Sequence, residues 1–130
     1  MTPRTRIVVA WLPAAAYMGL IWALSGMPQP FDLRVLPFKD KGVHALEYAV
    51  LAFLDAGAIR GTWPAMSWQR LGLTAAGVAS LWGYLDEIHQ AFVPSRQASL
   101  LDFAADAAGA LLGVAIYFGV KRQRRPLNPV

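Results

Sequence analysis

The chain has 130 residues, which is enough for one domain covering residues 1–130. Its residues are 56% hydrophobic and only 15% charged, whereas an average soluble domain has about 25% charged residues. This shortage of charge predicts a surface covered mainly by lipid. The chain contains no cysteine, which excludes a disulfide framework and thiolate chemistry. The basic residues behind the net charge of +4 form no patch interleaved with aromatic residues, so we expect no nucleic-acid partner.

Four apolar runs predict an all-α, polytopic membrane protein whose four transmembrane helices form a compact bundle. The runs cover residues 7–25, 42–59, 71–87 and 103–120, and a helix needs about 20 such residues to cross a bilayer. Three ionisable residues interrupt the second run, which taken alone would also suit a buried soluble helix. Arg4 and Arg6 precede the first run as in a signal peptide, but its length and the three later runs favour a membrane span.

The distribution of Lys and Arg predicts that both termini lie in the cytoplasm, because cytoplasmic loops carry an excess of these residues. With the N-terminus inside, eight of the twelve fall on the inner side: Arg4, Arg6, Arg60, Arg70, Lys121, Arg122, Arg124 and Arg125. The four on the outer side are Arg34, Lys39, Lys41 and Arg96.

This orientation places the ionisable residues of three separate stretches at the outer membrane face. They are Asp40, Lys41, His44 and Glu47; Asp86, Glu87, His89 and Gln90; and Arg96, Asp102 and Asp106. At 3.6 residues per turn, one face of the second helix carries His44, Glu47, Tyr48, Leu51 and Asp55. One face of the fourth carries Asp102, Asp106, Gly109, Gly113 and Tyr117. Charge in hydrocarbon is costly, so both faces should point into the bundle, where the two glycines allow close helix approach.

Several of these residues also have a purely structural interpretation. Asp40 and Asp102 would stabilise helix N-termini, and Asp55 would pair with Arg60 near the inner end of its helix. A single buried histidine is more often a hydrogen-bonded structural residue than a ligand. The segment 88–101 is too short and polar to span, and we expect it to be re-entrant or interfacial, with Pro94 at the turn and Arg96 above the carboxylates.

Three stretches resemble the motifs of the VanZ-like family of bacterial membrane proteins. Asp40-Lys41-Gly42-Val43-His44, followed by Glu47-Tyr48 and Leu51, is similar to the family's DKxxHxxxYxxL signature. Residues 86–96, DEIHQAFVPSR, resemble DExxQxFxPxR. Ser99, Asp102, Asp106, Gly109 and Gly113 match SxxDxxxNxxGxxxG, with Asp106 where Asn is usual, and Leu24-Ser25 and Pro28 suit a short motif after the first span. The resemblance implies a multi-pass protein of the bacterial inner membrane. The founding member is associated with low-level resistance to the glycopeptide teicoplanin, and many relatives have no assigned reaction.

The outer polar residues suit the binding or processing of an anionic cell-envelope lipid such as a polyprenyl phosphate. For acid–base function we assign Asp86, Glu87, Asp102 and His44. For substrate binding we assign Lys41, Arg96, Gln90, Glu47, Tyr48, Asp40 and Asp106, with Lys41 and Arg96 holding phosphate. Leu51, Phe92 and Leu100 are expected to form apolar walls for a prenyl or acyl chain.

Other functions stay open at this stage, as does the question of enzymatic activity. Ser25, Ser95 and Ser99 lie in no recognised nucleophile motif. A zinc or manganese site would draw on His44, Glu47, Glu87, His89 and Asp102, but their spacing matches no standard metal motif, so we assign no metal ligand. The sequence leaves the identity of any cofactor open. A non-catalytic receptor for a lipid or antibiotic and a structural polar cluster are the remaining alternatives. Transport is less favoured, because four short helices enclose little lumen.

Overall fold

The computed structural model describes residues 1–27, 39–94 and 98–124, without the side chains of Lys39 and Asp40. These residues form four helices: α1 (Pro3–Ser25), α2 (Lys39–Thr62), α3 (Trp68–Ala91) and α4 (Leu100–Gln123). The all-helical class and the helix count predicted from the sequence are therefore confirmed. Most helix ends lie about one turn beyond the apolar run, because the backbone stays helical where polar side chains replace apolar ones.

Hydroxyl side chains begin three of the helices. The hydroxyl of Thr2 accepts a hydrogen bond from the backbone N–H of Thr5 at 3.2 Å, and that of Ser67 accepts from Arg70 at 3.3 Å. Ser99 is the N-cap of α4, and Asp102 lies in the first turn of the helix. A carboxylate in the first turn still interacts favourably with the helix dipole.

Three of the four helices are long and apolar enough to cross a membrane: Pro3–Ser25, Lys41–Thr62 and Leu100–Gln123. The helix α3 has a comparable length of 24 residues. It does not contain a sufficiently apolar stretch of that length, since Gln69 and Arg70 lie in its first turn and Asp86, Glu87 and Gln90 in its last turns. The second apolar run, interrupted by three ionisable residues, thus meets the criterion, whereas the cleaner-looking third run does not.

The outer surface of the helices is rich in large apolar side chains. Leu12 on α1, Leu73 on α3 and Leu111 on α4 are each more than 60% exposed. A contiguous apolar surface of this kind is unusual for a monomeric soluble protein. The interior contains many small side chains, among them Ala52, Ala56, Ala75, Ala79 and Ala110, all fully buried, beside a few large ones such as Leu51 and Leu71. Small residues inside and large ones outside are the pattern of helices that pack in lipid.

The helices α2 and α4 form the most extensive contact in the fold. A Cβ atom at Gly109 would lie 2.0 Å from the carbonyl oxygen of Ala45, and one at Gly113 would lie 2.0 Å from that of Ala49. The two helix backbones therefore touch at both glycines, one turn apart. The close approach predicted from the Gly109–Gly113 spacing is confirmed, and it sets the distance between the polar residues above it.

The predicted pair of Asp55 and Arg60 does not form. Arg60 Nη1 donates to the carbonyl oxygens of Pro64 and Met66 at 2.7 and 2.8 Å, and its guanidinium lies 4.6 Å from the centre of the Trp68 ring. Asp55 is fully buried, and its carboxylate oxygens have no hydrogen-bond partner among the described residues. Arg60 ties together the turn that follows α2, because the open carbonyls there lie within reach of its side chain.

The segment 88–101, predicted to be re-entrant or interfacial, is helical at both of its ends. Residues 88–91 form the last turn of α3, Phe92 is its C-cap, and α4 begins at Leu100. Helix continuation satisfies the backbone of these residues more directly than an irregular re-entrant path would. The expected position of Arg96 above the carboxylates falls on residues 95–97, which lie outside the described residues.

Candidate functional site

The helices bring polar side chains together at one end of the bundle, where α1 and α3 end and α2 and α4 begin. This polar end comprises Ser25, Lys41, His44, Asp86, Glu87, His89, Gln90, Ser99, Asp102 and Asp106. Residues far apart in the sequence meet here because successive helices run in opposite directions. The grouping of the three stretches expected from the orientation argument is therefore present in the fold.

His44 and Asp106 join α2 to α4 inside the polar end. The Nδ1 atom of His44 and the Oδ1 atom of Asp106 are hydrogen-bonded at 2.8 Å, and the side chains are 12% and 1% exposed. A Cβ at Gly83 would lie 3.0 Å from Asp106 Oδ2 and 3.1 Å from Cε1 of Tyr48. Gly83 on α3 thus leaves room for the Asp106 carboxylate and the Tyr48 ring to pack side by side.

Lys41 and Asp102 form a second link between α2 and α4, at the rim of the polar end. Lys41 Nζ donates to Asp102 Oδ1 at 3.1 Å. The Lys41 side chain is 38% exposed, while that of Asp102 is 10% exposed. The ammonium group therefore combines an ion pair with access to the surroundings of the protein.

Glu87 connects α3 to the start of α4. Its Oε2 atom accepts a hydrogen bond from the backbone N–H of Ser99 at 3.0 Å, and the Ser99 hydroxyl in turn accepts from the backbone N–H groups of Leu101 and Asp102. Glu87 is 6% exposed, and its Oε1 atom is buried with no hydrogen-bond partner in the described ranges. Glu87 thus binds the N-terminal end of α4 through Oε2, while Oε1 is available to a ligand.

Asp86 connects α3 to the end of α1. Its Oδ1 atom accepts from the Ser25 hydroxyl at 2.5 Å, and its Oδ2 atom accepts from Gln90 Nε2 at 3.2 Å. Both carboxylate oxygens are therefore occupied, which leaves Asp86 less available to a ligand than Glu87.

His89 lies beside this pair without completing a nucleophilic triad. Its Nδ1 atom is 3.2 Å from the Ser25 hydroxyl and 3.9 Å from Asp86 Oδ1, and its ring stacks on Trp22 at 4.0 Å. A serine–histidine–aspartate relay needs the serine and the carboxylate on opposite ring nitrogens. Here the same nitrogen faces both groups, and the serine bonds the carboxylate directly. The geometry is that of a structural link between α1 and α3.

The predicted site residues divide into three groups by position. Those gathered at the polar end are Lys41, His44, Asp86, Glu87, Gln90, Asp102 and Asp106, with Tyr48 buried one turn below His44 and Glu47 half-buried beside it. Arg96 and the side chain of Asp40 lie outside the described residues. Of the expected apolar walls, Leu51 is buried in the core, while Phe92 and Leu100 are more than 80% exposed on the outside. Those two side chains contact the surroundings instead of lining an interior wall.

Three residues of the polar end had no assigned role in the sequence-based site: Ser25, His89 and Ser99. All three lie in or beside the motif stretches, which was the available signal. Their contacts depend on where the ends of α1 and α3 meet and on where α4 begins, and helical periodicity within one helix does not report this.

Searches with the sequence and the fold found no matching protein-family model, no matching curated protein and no matching solved structure. The resemblance to the VanZ-like family therefore stands on the motif residues alone.

Proposed function

We propose that this chain is a VanZ-like protein of the bacterial inner membrane and that its polar end binds the headgroup of an anionic cell-envelope lipid. The observation that carries the proposal is the contrast between the polar end and the apolar flanks of the bundle. A cluster of polar side chains from all four helices lies at one end of a bundle whose flanks are apolar. A lipid has a polar headgroup and an apolar tail, so its headgroup would lie beside the polar end and its tail along the apolar flanks.

Lys41 is the described residue best placed to meet a phosphate. Its ammonium lies at the rim and is partly exposed, and its partner Asp102 is nearly buried. A phosphate approaching from the surface reaches Lys41 before it reaches the carboxylates. Exposed apolar side chains at the same end, Phe92 and Leu100, offer contact to the lipid tail. The motif resemblance in residues 86–96 implies that Arg96 adds a second cation.

A structural role for the polar end is the competing function, because two of its ionic pairs are already closed. His44 with Asp106 and Lys41 with Asp102 join α2 to α4 with good geometry. In this alternative the polar side chains stabilise the bundle and bind nothing. The two functions predict different effects on lipid binding when Lys41 and Asp102 are substituted separately.

We predict that substituting Lys41 and substituting Asp102 have opposite effects on lipid binding. Lys41→Gln should weaken the binding of a polyprenyl phosphate about tenfold, which corresponds to about 1.4 kcal/mol for one lost charge-assisted contact. Asp102→Asn should strengthen it, because the ammonium is released from its competitor. Fluorescence titration of the detergent-solubilised protein with the lipid measures both. Arg96→Ala is expected to behave like Lys41→Gln.

Lys121→Gln is the matched control for this experiment. Lys121 lies in the last turn of α4, at the opposite end of the bundle, so its loss should leave binding unchanged. Equal binding of every anionic lipid by the parent and by folded Lys41→Gln and Arg96→Ala proteins would favour the structural role. So would a parallel loss of thermal stability in Lys41→Gln and Asp102→Asn without any lipid effect.

All four helices are proposed to cross the membrane with both termini in the cytoplasm. Alkaline phosphatase, which is active only outside the cytoplasm, should be active when fused after Met27 or Pro94. It should be inactive when fused after Met66 or Arg124. The excess of Lys and Arg at the end opposite the polar end motivates this orientation. Activity at both Met27 and Arg124 would mean an odd number of crossings in total, and α3, which does not meet the span criterion, would then lie on the membrane surface.

A further inference from the structure

We propose that the polar end holds a divalent metal ion, with His44, Glu87 and Asp106 as its ligands. These residues belong to α2, α3 and α4, and each offers one ligand atom that lies within 4.8 Å of those of the other two. Ligands of one Zn²⁺ or Mn²⁺ ion lie about 2.0–2.2 Å from the metal, so side-chain adjustments of an ångström or less bring the three atoms to bonding positions. The site does not depend on lipid binding.

Unpartnered oxygen atoms next to the three ligands point to a missing partner. Among the described residues, Glu87 Oε1 and the hydroxyl of Tyr48 are buried without a hydrogen bond. Tyr48 is 1% exposed, and its ring packs beside the Asp106 carboxylate, since an added Cβ at Gly83 would contact both. A buried polar atom without a partner costs about 1–3 kcal/mol. A metal ion between Glu87 and Asp106, with a water molecule reaching Tyr48, would satisfy these atoms at once.

The charges at the polar end also favour a cation. The described part of the cluster contains four carboxylates: Asp86, Glu87, Asp102 and Asp106. Lys41 pairs with Asp102, and Ser25 and Gln90 bond Asp86. Among the described residues, neither Glu87 nor Asp106 forms an ion pair with a lysine or arginine, and Asp106 is hydrogen-bonded to His44. A divalent ion between the two carboxylates would supply positive charge there.

The ligand set narrows the choice of metal. One imidazole nitrogen with two carboxylate oxygens suits zinc or manganese better than magnesium or calcium, which prefer oxygen ligands alone. Three protein ligands leave at least one position for water or for an oxygen of a bound phosphate. The sequence-based metal alternative drew on His44, Glu47, Glu87, His89 and Asp102. The fold gathers Asp106 with His44 and Glu87 instead.

The scaffold beneath the ligands is rigid enough to hold them in place. Asp106 lies one turn before Gly109, and His44 immediately precedes Ala45, the residue that Gly109 contacts through its backbone. The backbones that carry two of the ligands are therefore in direct contact close to the site. Ligands mounted on packed helices keep their geometry better than ligands on loops.

Titration of the detergent-solubilised protein with Mn²⁺ tests the site directly. The full-length chain is stripped with EDTA, and free Mn²⁺ is followed by electron paramagnetic resonance in phosphate-free buffer without added lipid. We expect one saturable site per chain, from which Zn²⁺ displaces Mn²⁺, because nitrogen and oxygen sites generally bind zinc more tightly. Glu87→Gln and Asp106→Asn should each weaken Mn²⁺ binding at least tenfold. Circular dichroism establishes that each variant keeps its helix content.

Asp55→Asn is the matched control, because Asp55 is a fully buried acid on the same helix as His44, about three turns away. It should bind Mn²⁺ like the parent. Absence of saturable binding by the parent would overturn the proposal, and so would unchanged affinity in folded Glu87→Gln and Asp106→Asn. Failure of Zn²⁺ to displace Mn²⁺ would contradict a site built from these nitrogen and oxygen ligands. A parent protein that binds polyprenyl phosphate but no Mn²⁺ would refute the metal site and leave the lipid proposal intact.

Discussion

Gly109→Ala and Gly113→Ala are each expected to destabilise the folded protein by about 3 kcal/mol, the upper part of the usual range for overpacking. The added methyl group would lie 2.0 Å from the carbonyl oxygen of Ala45 or Ala49. The obstructing atom belongs to a helix backbone and has no rotamer to move into. The helices α2 and α4 must therefore separate over their whole contact, and the polar pairs above the glycines lengthen with them.

The measurement is the free energy of unfolding in mixed detergent micelles, with Gly119→Ala as the control. Gly119 lies on α4 as well, but no atom of its surroundings lies within 4 Å of an added Cβ. Alanine at that position should be neutral or stabilise by up to about 1 kcal/mol through its higher helix propensity. If Gly109→Ala and Gly119→Ala behaved alike, the backbone contact between α2 and α4 would not exist in the folded protein.

The second large effect is expected from breaking the pair of His44 and Asp106. Asp106→Ala removes the partner of a nearly buried imidazole, and His44→Ala removes the partner of a fully buried carboxylate. Breaking a buried pair on one side typically costs about 3–5 kcal/mol, because an unpaired polar group is left behind. The double variant leaves no such group, so it should be less destabilised than the sum of the two single variants by about 2 kcal/mol.

This double-mutant cycle is measured by the same unfolding experiment with EDTA present, so that a bound metal does not contribute. The reference cycle combines His44→Ala with Asp55→Asn, whose side chains do not share a contact, and should give a coupling energy near zero. Additive effects in the first cycle would show that the 2.8 Å hydrogen bond does not couple α2 to α4.

Much of the architecture follows from the sequence alone, for a local reason. The apolar runs set the four helices, and spacing at 3.6 residues per turn identified the buried faces. On α4 the predicted face of Asp102, Asp106, Gly109, Gly113 and Tyr117 is buried throughout. These features depend on neighbours within one helix, and such neighbours are fixed by the order of residues. The backbone contact at Gly109 could likewise be predicted from the sequence, because only glycine permits so close an approach.

The local pattern was misleading where a side chain had more than one partner within reach. Asp55 and Arg60 are close in sequence, yet Arg60 binds the carbonyls of the turn after α2. The polar segment after residue 88 predicted a separate element, but its beginning continues α3 and its end starts α4. Both differences arise from backbone groups near helix ends that lack a partner within the helix. Such groups bind a polar side chain, as the carbonyls near Arg60 do, or they are satisfied when the helix continues.

The pairings at the polar end were decided only by the tertiary structure. The sequence grouped the acids, the lysine and the histidines at one membrane depth, but it did not tell which acid meets which cation. His44 reaches Asp106 because contact at Gly109 sets the register of α2 against α4. Ser25 reaches Asp86 because α1 ends against α3. Contacts between helices depend on register and crossing position, which are properties of the packed bundle and not of any one helix.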